Sequence, residues 1–166
     1  MENNIYIRKL TPNDKPQLDN LIQKIEAALP HRDWWLPIPK EAYDHFFDET
    51  WTLFCGAFDN EKLIGASALF LNEFEYGKTA KYIHLSTQKI AEIGRCMVLP
   101  DYRGHQLMVK MNEFLFKANP KEVDCFVATA HPDNMSSIKS LEKSGFIKQA
   151  TFEKFDMKRN IYLKKA

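Results

Sequence analysis

The sequence is poor in several features that would each announce a protein class. Its 166 residues include three cysteines, Cys55, Cys96 and Cys125, an odd number at no close spacing. A disulfide framework is excluded on that count, and nothing suggests a zinc site. Each cysteine stands in an apolar run (Leu53-Phe54-Cys55, Cys96-Met97-Val98, Cys125-Phe126-Val127) and reads as a small buried hydrophobe. Charge of one sign is also lacking. The 23 Lys and Arg against 22 Asp and Glu leave a net +1, too little to draw the chain to nucleic acid or an anionic membrane. No apolar run approaches the roughly 18 residues of a membrane span. The first eight residues have neither the basic nor the apolar region of a signal peptide. The expectation is a cytoplasmic protein with no metal, nucleic-acid or membrane partner. Repeats, low-complexity tracts and linkers are missing too, so residues 1–166 are expected to form one domain.

What the chain does have is aromatic side chains, 13% of residues, with twelve Phe, six Tyr and three Trp. Phe54, Phe58, Phe70, Phe126 and Phe146 fall on or beside apolar runs and are expected in the core. Trp34, Trp35, Tyr43 and Phe47 fall outside those runs and are candidates to line a pocket.

Hydrophobic spacing outlines the elements. Ile5 to Leu10 alternates as a strand. Thr11-Pro12 opens a helix carried by Leu18, Leu21, Ile22, Ile25 and Leu29, which Pro30 stops. His31 to Pro39 reads as an irregular loop and Lys40 to Glu49 as a short helix. Trp51–Phe58 and Lys62–Leu71 form a hairpin around Asp59-Asn60-Glu61. Asn72 to Leu85 shows no clear pattern, and Tyr76-Gly77-Lys78 looks like a loop. Ile90 to Leu99 is a strand ended by Pro100, and Leu107 to Lys117 an amphipathic helix. Val123 to Ala130 is nearly all apolar, as a strand buried on both faces would be. Met135 to Ser144 is a helix closed by Gly145. Phe146–Phe155 and Asn160–Leu163 end the chain around a turn at Asp156 to Arg159. The order β-α-α-β-β-β-α-β-α-β-β is that of one α/β domain.

The chemistry is concentrated between Ile90 and Met108. A strand ends, Pro100 follows, then Arg103-Gly104, and a helix begins. A helix N-terminus presents unpaired backbone N–H groups and a partial positive charge, which suits a pyrophosphate. Arg103 adds a fixed charge, and Gly104 removes a side chain where a ligand must come close.

This stretch resembles the acyl-CoA-dependent N-acyltransferases of the GNAT family, whose pattern is Val-x-Pro-x-x-Arg-Gly-x-Gly-x-Gly/Ala. Val98, Pro100, Arg103 and Gly104 match it, whereas Gln106 and Met108 stand where the family usually has glycine. His131-Pro-Asp-Asn134, Ser137, Leu141 and Gly145-Phe146 are similar to the family's second segment, Asn-x-x-Ala/Ser-x-x-x-Tyr-x-x-x-Gly-Phe. Two motifs in the right order, about 30 residues apart on elements that fit, make the resemblance specific.

The resemblance implies a mixed, mostly antiparallel sheet of six or seven strands. About four helices would flank it, and it would splay between the fourth and fifth strands. It implies acetyl-CoA as cosubstrate, held by Met97, Val98, Arg103, Gly104, His105, Gln106, Leu107 and Met108, with Asn134 and Ser137 toward the pantetheine arm. Glu92 matches the position of a general base in related enzymes. The family Tyr that protonates the departing thiolate is replaced by Leu141, which leaves that proton to water or another group. Many relatives are dimers, so a homodimer is the matching expectation.

A free alkylamine has a pKa near 10, so a base must take its proton before it attacks a thioester. Glu92, partly buried, would have its pKa raised toward working pH; the alternative is an ion pair with Arg95 or a lysine. A backbone N–H near Met97 or Val98 would hold the oxyanion. Direct attack needs no covalent enzyme intermediate, so Cys96 is not cast as a nucleophile. Asn134 is also a favoured N-cap. His105 reads as a turn residue and His131 as either a proton carrier or a satisfied surface histidine.

The resemblance puts acceptor entry between the first helix–helix loop and the final hairpin, hence at Trp34 and Trp35. Residues 41–75 carry eight acidic side chains against Lys62 alone. Such an entrance would suit a cationic amine, of a small molecule or a peptide; solvated helix and hairpin faces are the alternative. A non-catalytic acyl-CoA sensor on the same fold is the competing function.

Overall fold

The computed structural model describes residues 4–35, 37–154 and 156–166. Seven strands form one sheet: β1 (Ile5–Lys9), β2 (Thr52–Asp59), β3 (Lys62–Phe70), β4 (Ile90–Val98), β5 (Cys125–Ala130), β6 (Ile147–Lys154) and β7 (Met157–Lys165), in the order β1-β2-β3-β4-β5-β7-β6. Only the central β4–β5 pair is parallel. The helices are α1 (Lys15–Ala27), α2 (Lys40–Asp44), α3 (Glu73–Tyr82), α4 (Leu107–Ala118) and α5 (Met135–Lys143).

Strands β2 and β3 are buried at nearly every residue, which requires cover on both faces of the sheet. α1 lies against β3 and β4, and α4 runs across β1 to β4. Met111 and Leu115 of α4 are fully buried, each contributing on the order of 2 kcal/mol of hydrophobic stabilisation. Phe54, Phe58, Phe70, Phe126 and Phe146 are all in this core. Cys55 and Cys125 are buried with them.

One connection differs in kind from its sequence pattern. Tyr76-Gly77-Lys78 is not a loop but the middle of α3. Gly77 weakens the helical signal; burial of Tyr76, Thr79 and Ala80 on one side supplies what propensity lacks. Lys121 ties this helix to the start of β4. Its ammonium donates to the Tyr76 hydroxyl (2.8 Å) and to the carbonyls of Thr87 (2.9 Å) and Ile90 (2.8 Å).

Two boundaries also move. The second helix stops at Asp44 rather than Glu49: His45 already leaves the helical conformation, and Asp48 then turns the chain by accepting from the Thr50 N–H (3.0 Å) and hydroxyl (2.6 Å). In the final hairpin Met157 to Arg159 belong to β7, with Lys154 opposite Met157 and Asp156 in the turn at φ 60°. Their charge suggested a turn, but Arg159 is a buried cation, 2% exposed. The end of the preceding strand at Phe155 lies outside the described residues.

Candidate active site

The sheet opens where its parallel pair ends. β4 and β5 pair from Ile90–Cys125 to Ile93–Ala128 only. Past Ile93, β4 stays with β3, while β5 continues beside β7 as far as Ala130. A bulge drives the departure: Arg95 and Cys96 stand against Ser67 alone, and Arg95 takes the left-handed conformation at φ 50°. The result is a cleft of about 550 Å³ lined by β4, both strands of the final hairpin beside its turn, α3, α5 and the start of α4.

One end of the cleft is built for an anion. Pro100–Tyr102 makes a 3-10 turn, and Gly104 and Gln106 adopt φ 86° and 58°. α4 then begins, its first bond running from the Lys110 N–H to the Gln106 carbonyl at 3.1 Å. The N–H groups of Leu107, Met108 and Val109 therefore precede the ladder. No acidic side chain occupies that first turn. A Cβ on Gly104 would meet nothing within 4 Å, so the space above it is open. Arg103 is held by its Nε–H donating to the Val98 carbonyl at 3.3 Å. These features fit a pyrophosphate.

Met97, Val98, Arg103, Gly104, Gln106, Leu107, Met108, Asn134, Ser137, Glu92, Trp34 and Trp35 all line this one cleft, while His105 does not. Asn134 caps α5, its Oδ1 accepting from the Ser137 N–H at 3.3 Å. Leu141 is buried on the core side of α5, and the hydroxyl residues of that helix on the cleft are Ser136, Ser137 and Ser140.

Glu92 is 6% exposed, and its Oε2 accepts no hydrogen bond from the described residues. Burial above all, with a smaller push from Glu75, lifts its pKa to about 7 against the pull of Lys154 and Arg95. Cys96 lines the same wall, but burial holds its thiol up at about 12, so it stays protonated. Among the described residues no cluster of three His, Cys, Asp or Glu side chains could hold a metal ion, and no helix is long and apolar enough to cross a membrane.

The opposite end of the cleft departs from the composition expected of an acceptor entrance. Of the eight acidic residues between 41 and 75, only Glu75 reaches the cleft, and Tyr43 and Phe47 do not line it. Tyr43 packs on Phe46 and Lys15 instead, and Phe47 lines a small separate pocket. Lys78, Arg95, Lys154 and Arg159 line the cleft with Glu75 and Glu92. Trp34 and Trp35 are held over it by a set of anchors. Arg159 donates to the Asp33 carbonyl (2.6 Å), His131 Nε2 meets the Asp33 carboxylate (3.0 Å), and Arg95 donates to the Pro37 carbonyl (3.1 Å). His131 is thereby satisfied rather than loose. Its Nδ1 accepts from the Asp133 N–H, which leaves Nε2 as the donor to Asp33. Sequence reasoning did not single out Lys154 or Arg159, and Glu75 entered only as one of the eight acidic side chains between 41 and 75.

The sheet thus parts beside a helix N-terminus suited to an anion, with a buried carboxylate in the opening. The profile of the Acetyltransferase (GNAT) family matches residues 19–146, and the chain belongs to that family. Solved structures share the fold. The ribosomal-protein-S5-alanine acetyltransferase of Vibrio fischeri superposes with a TM-score of 0.69 at 16% identity, over 99% of this chain and 94% of its own. A putative acetyltransferase of Acinetobacter baylyi gives 0.70 at 22% identity, over 100% and 95%. AAC(6')-Ib, solved with paromomycin and acetyl-CoA, gives 0.65 at 18% identity, over 97% and 93%. Sequence comparison with curated proteins finds no match.

Proposed function

We propose that residues 1–166, acting as one domain, transfer an acetyl group from acetyl-CoA to a primary amine of a small molecule or peptide within a ternary complex. The observation that carries this reading is Glu92. It is a buried carboxyl whose pKa is raised to about 7, and it lines the same cleft as the unpaired N–H groups of α4. Acetyl-CoA supplies an activated thioester carbonyl when bound. Arg103 and the N–H groups of Leu107 and Met108 are placed to hold its pyrophosphate, and the Asn134–Ser137 turn flanks its arm. Glu92 takes the proton of the acceptor amine; a carboxyl with a pKa near working pH serves as such a base. Past Ile93, the β4 N–H groups on the side of β5 no longer have a ladder partner, and one near Met97 or Val98 serves as donor to the developing oxyanion. Leu141 offers no acid, so the sulfur takes its proton from solvent or a cleft hydroxyl of α5.

The test is a thermal-shift titration with acetyl-CoA, NAD and ATP, followed by thiol release with a panel of amines. Stabilisation by acetyl-CoA alone, with thiol release that Glu92→Gln abolishes while coenzyme binding persists, is expected. Binding without thiol release for any amine would make the protein an acyl-CoA sensor, and no shift with acetyl-CoA would remove both readings.

A further inference from the structure

One wall of the cleft is apolar and left open. Leu29, Pro30, Trp34, Trp35, Pro39 and Phe74 line it, supplied by the chain between α1 and α2 and by the first turn of α3. None of the six is fully buried, and Phe74 is 44% exposed. A group of large apolar side chains left uncovered along one concave site is the composition of a pocket for an apolar ligand. Apolar surface also reaches the candidate base. Phe70 stands opposite Glu92 in the β3–β4 pairing, and the two side chains meet above Gly94. A Cβ there would lie 2.7 Å from a Phe70 ring carbon and 3.7 Å from Glu92 Oε1. At the outer end Phe74 packs on Trp51, with ring centres 5.5 Å apart, and Trp51 stacks on His45 at 3.9 Å. Trp51 and His45 are half-buried, so aromatic surface continues beyond the cleft itself.

The charged side chains of the lining are engaged by the protein itself. Arg95 donates to the Pro37 carbonyl and lies over the Trp35 ring, 5.6 Å from its centre. Lys154 donates to the Glu75 carbonyl, and Arg159 to those of Asp33 and Lys158. Lys78, exposed at the rim, is engaged as well. These bonds fasten the loop at Asp33 and Pro37 to β7 and β4, and α3 to β6, so the ions hold the walls that present the rings. The six apolar residues lie outside α4, α5 and the turn at Pro100–Tyr102. A coenzyme held at Arg103, the start of α4 and the Asn134–Ser137 turn therefore does not account for them.

From this arrangement we infer that the acceptor is a primary amine on an apolar carbon skeleton, which packs against Trp34, Trp35 and Phe74 while Glu92 receives the amine proton. The inference rests on the acetyltransferase reading and narrows its substrate class. The covalent step is unchanged. A carbon–nitrogen bond forms, the carbon–sulfur bond of the thioester breaks, one amine proton goes to Glu92, and the sulfur leaves as thiolate or thiol. A polyamine or a polyhydroxylated amine would set a second ammonium or its hydroxyls against rings that offer them no hydrogen bond, and the lost hydration disfavours it. A small apolar amine and a peptide N-terminus whose first side chain is apolar present the same chemistry.

The experiment compares pairs of similar shape that differ in polarity: 2-phenylethylamine with histamine, pentylamine with 1,4-diaminobutane, and the amidated dipeptides Leu-Ala with Asn-Ala. Each is measured for equilibrium binding to the CoA-saturated protein and for thiol release with acetyl-CoA. In at least one pair the apolar member is expected to bind about tenfold tighter or more, the gain that burying one such group brings. Whether that pair is a small amine or the dipeptide separates the two sources. In Phe74→Gln and Trp34→Gln the ratio is expected to fall severalfold with CoA affinity retained, which also shows that the variants fold; Phe74 is exposed enough for its replacement to leave the core in place. Polar members binding as well as their partners in every pair, no member binding at all, or a ratio unchanged in both variants would each overturn the inference. Thiol release with the polar amines alone would overturn it and leave acetyl transfer standing. Preferential binding without thiol release would uphold it and instead overturn acetyl transfer.

Discussion

Glu92 and Asp14 are both buried carboxyls, and their surroundings act on them in opposite directions. At Glu92 desolvation dominates and lifts the pKa from 4.5 to about 7. The folded state then binds the proton more tightly than the unfolded chain. Stability from this group is full below about pH 4.5 and declines as pH rises to about 7, by roughly 3 kcal/mol as an upper figure. Glu92→Gln should therefore match the parent in thermal denaturation at pH 4 and exceed it at pH 8. The same substitution should cost at least about a hundredfold in kcat for a general base, and the parent's rate should climb with pH through about 7. A variant no more stable at pH 8 would contradict a desolvated carboxylate. At Asp14 the Arg8 fork dominates: two bonds of 2.8 Å, joined by one of 2.8 Å from the Thr11 N–H, hold the pKa down at about 2. Its contribution is present above about pH 4 and lost as pH falls toward 2. Arg8 is 41% exposed, so solvent screening reduces the value to about 1 kcal/mol. Asp14→Ala should lower stability by that amount at pH 7 in urea denaturation and by much less at pH 2.

The loop carrying Trp34 and Trp35 shows how an element without regular structure becomes a wall. Its anchors come from the end of β5, from β7 and from the β4 bulge, and His131 also stacks on Trp34 at 6.2 Å. Removing one anchor should loosen the wall without touching the phosphate end. His131→Ala is expected to raise KM for the acceptor severalfold and leave KM for acetyl-CoA in place; equal changes in both would place His131 elsewhere in the mechanism. The β3–β4 contact beneath is less forgiving. A Cβ on Gly65 would come within 2.9 Å of the Met97 carbonyl oxygen, a backbone atom that cannot swing aside. Gly65→Val should cost about 1–3 kcal/mol and distort the cleft with it, because Met97 and Val98 line its wall. Neither feature shows in a hydrophobic pattern. Periodicity reports one face of one element, whereas His131, Asp33 and Arg159 meet across three. α3 was hidden for a related reason, since Gly77 and a weakly amphipathic sequence left its helicity to the tertiary contacts of Tyr76, Thr79 and Ala80.

At the level of the whole molecule the cleft couples ligand to stability. If acetyl-CoA binds only the folded chain, a concentration 100 times its Kd adds about 2.7 kcal/mol. For a protein of this length that is roughly a 5–10 °C rise in Tm. NAD and ATP should give much less, and equal shifts from all three would point to a nonspecific anion effect. The half of the cleft that would hold the coenzyme could be read from the chain alone. Pro100, Arg103-Gly104 and the start of α4 are neighbours in sequence, as are Asn134, Ser137 and Gly145, because a helix N-terminus is a local object whose donors come from consecutive residues. Glu92 was singled out only through the family resemblance, and its burial in the cleft came from the fold. The acceptor half was not legible. The acidic stretch from 41 to 75 turned mostly away from the cleft, and cations from α3, β4, β6 and β7 took its place. Net charge counts residues without regard to where they face. The sign of the field in the cleft depended on which side chains the parting of β4 from β5 left along its walls, and that is a property of the folded sheet.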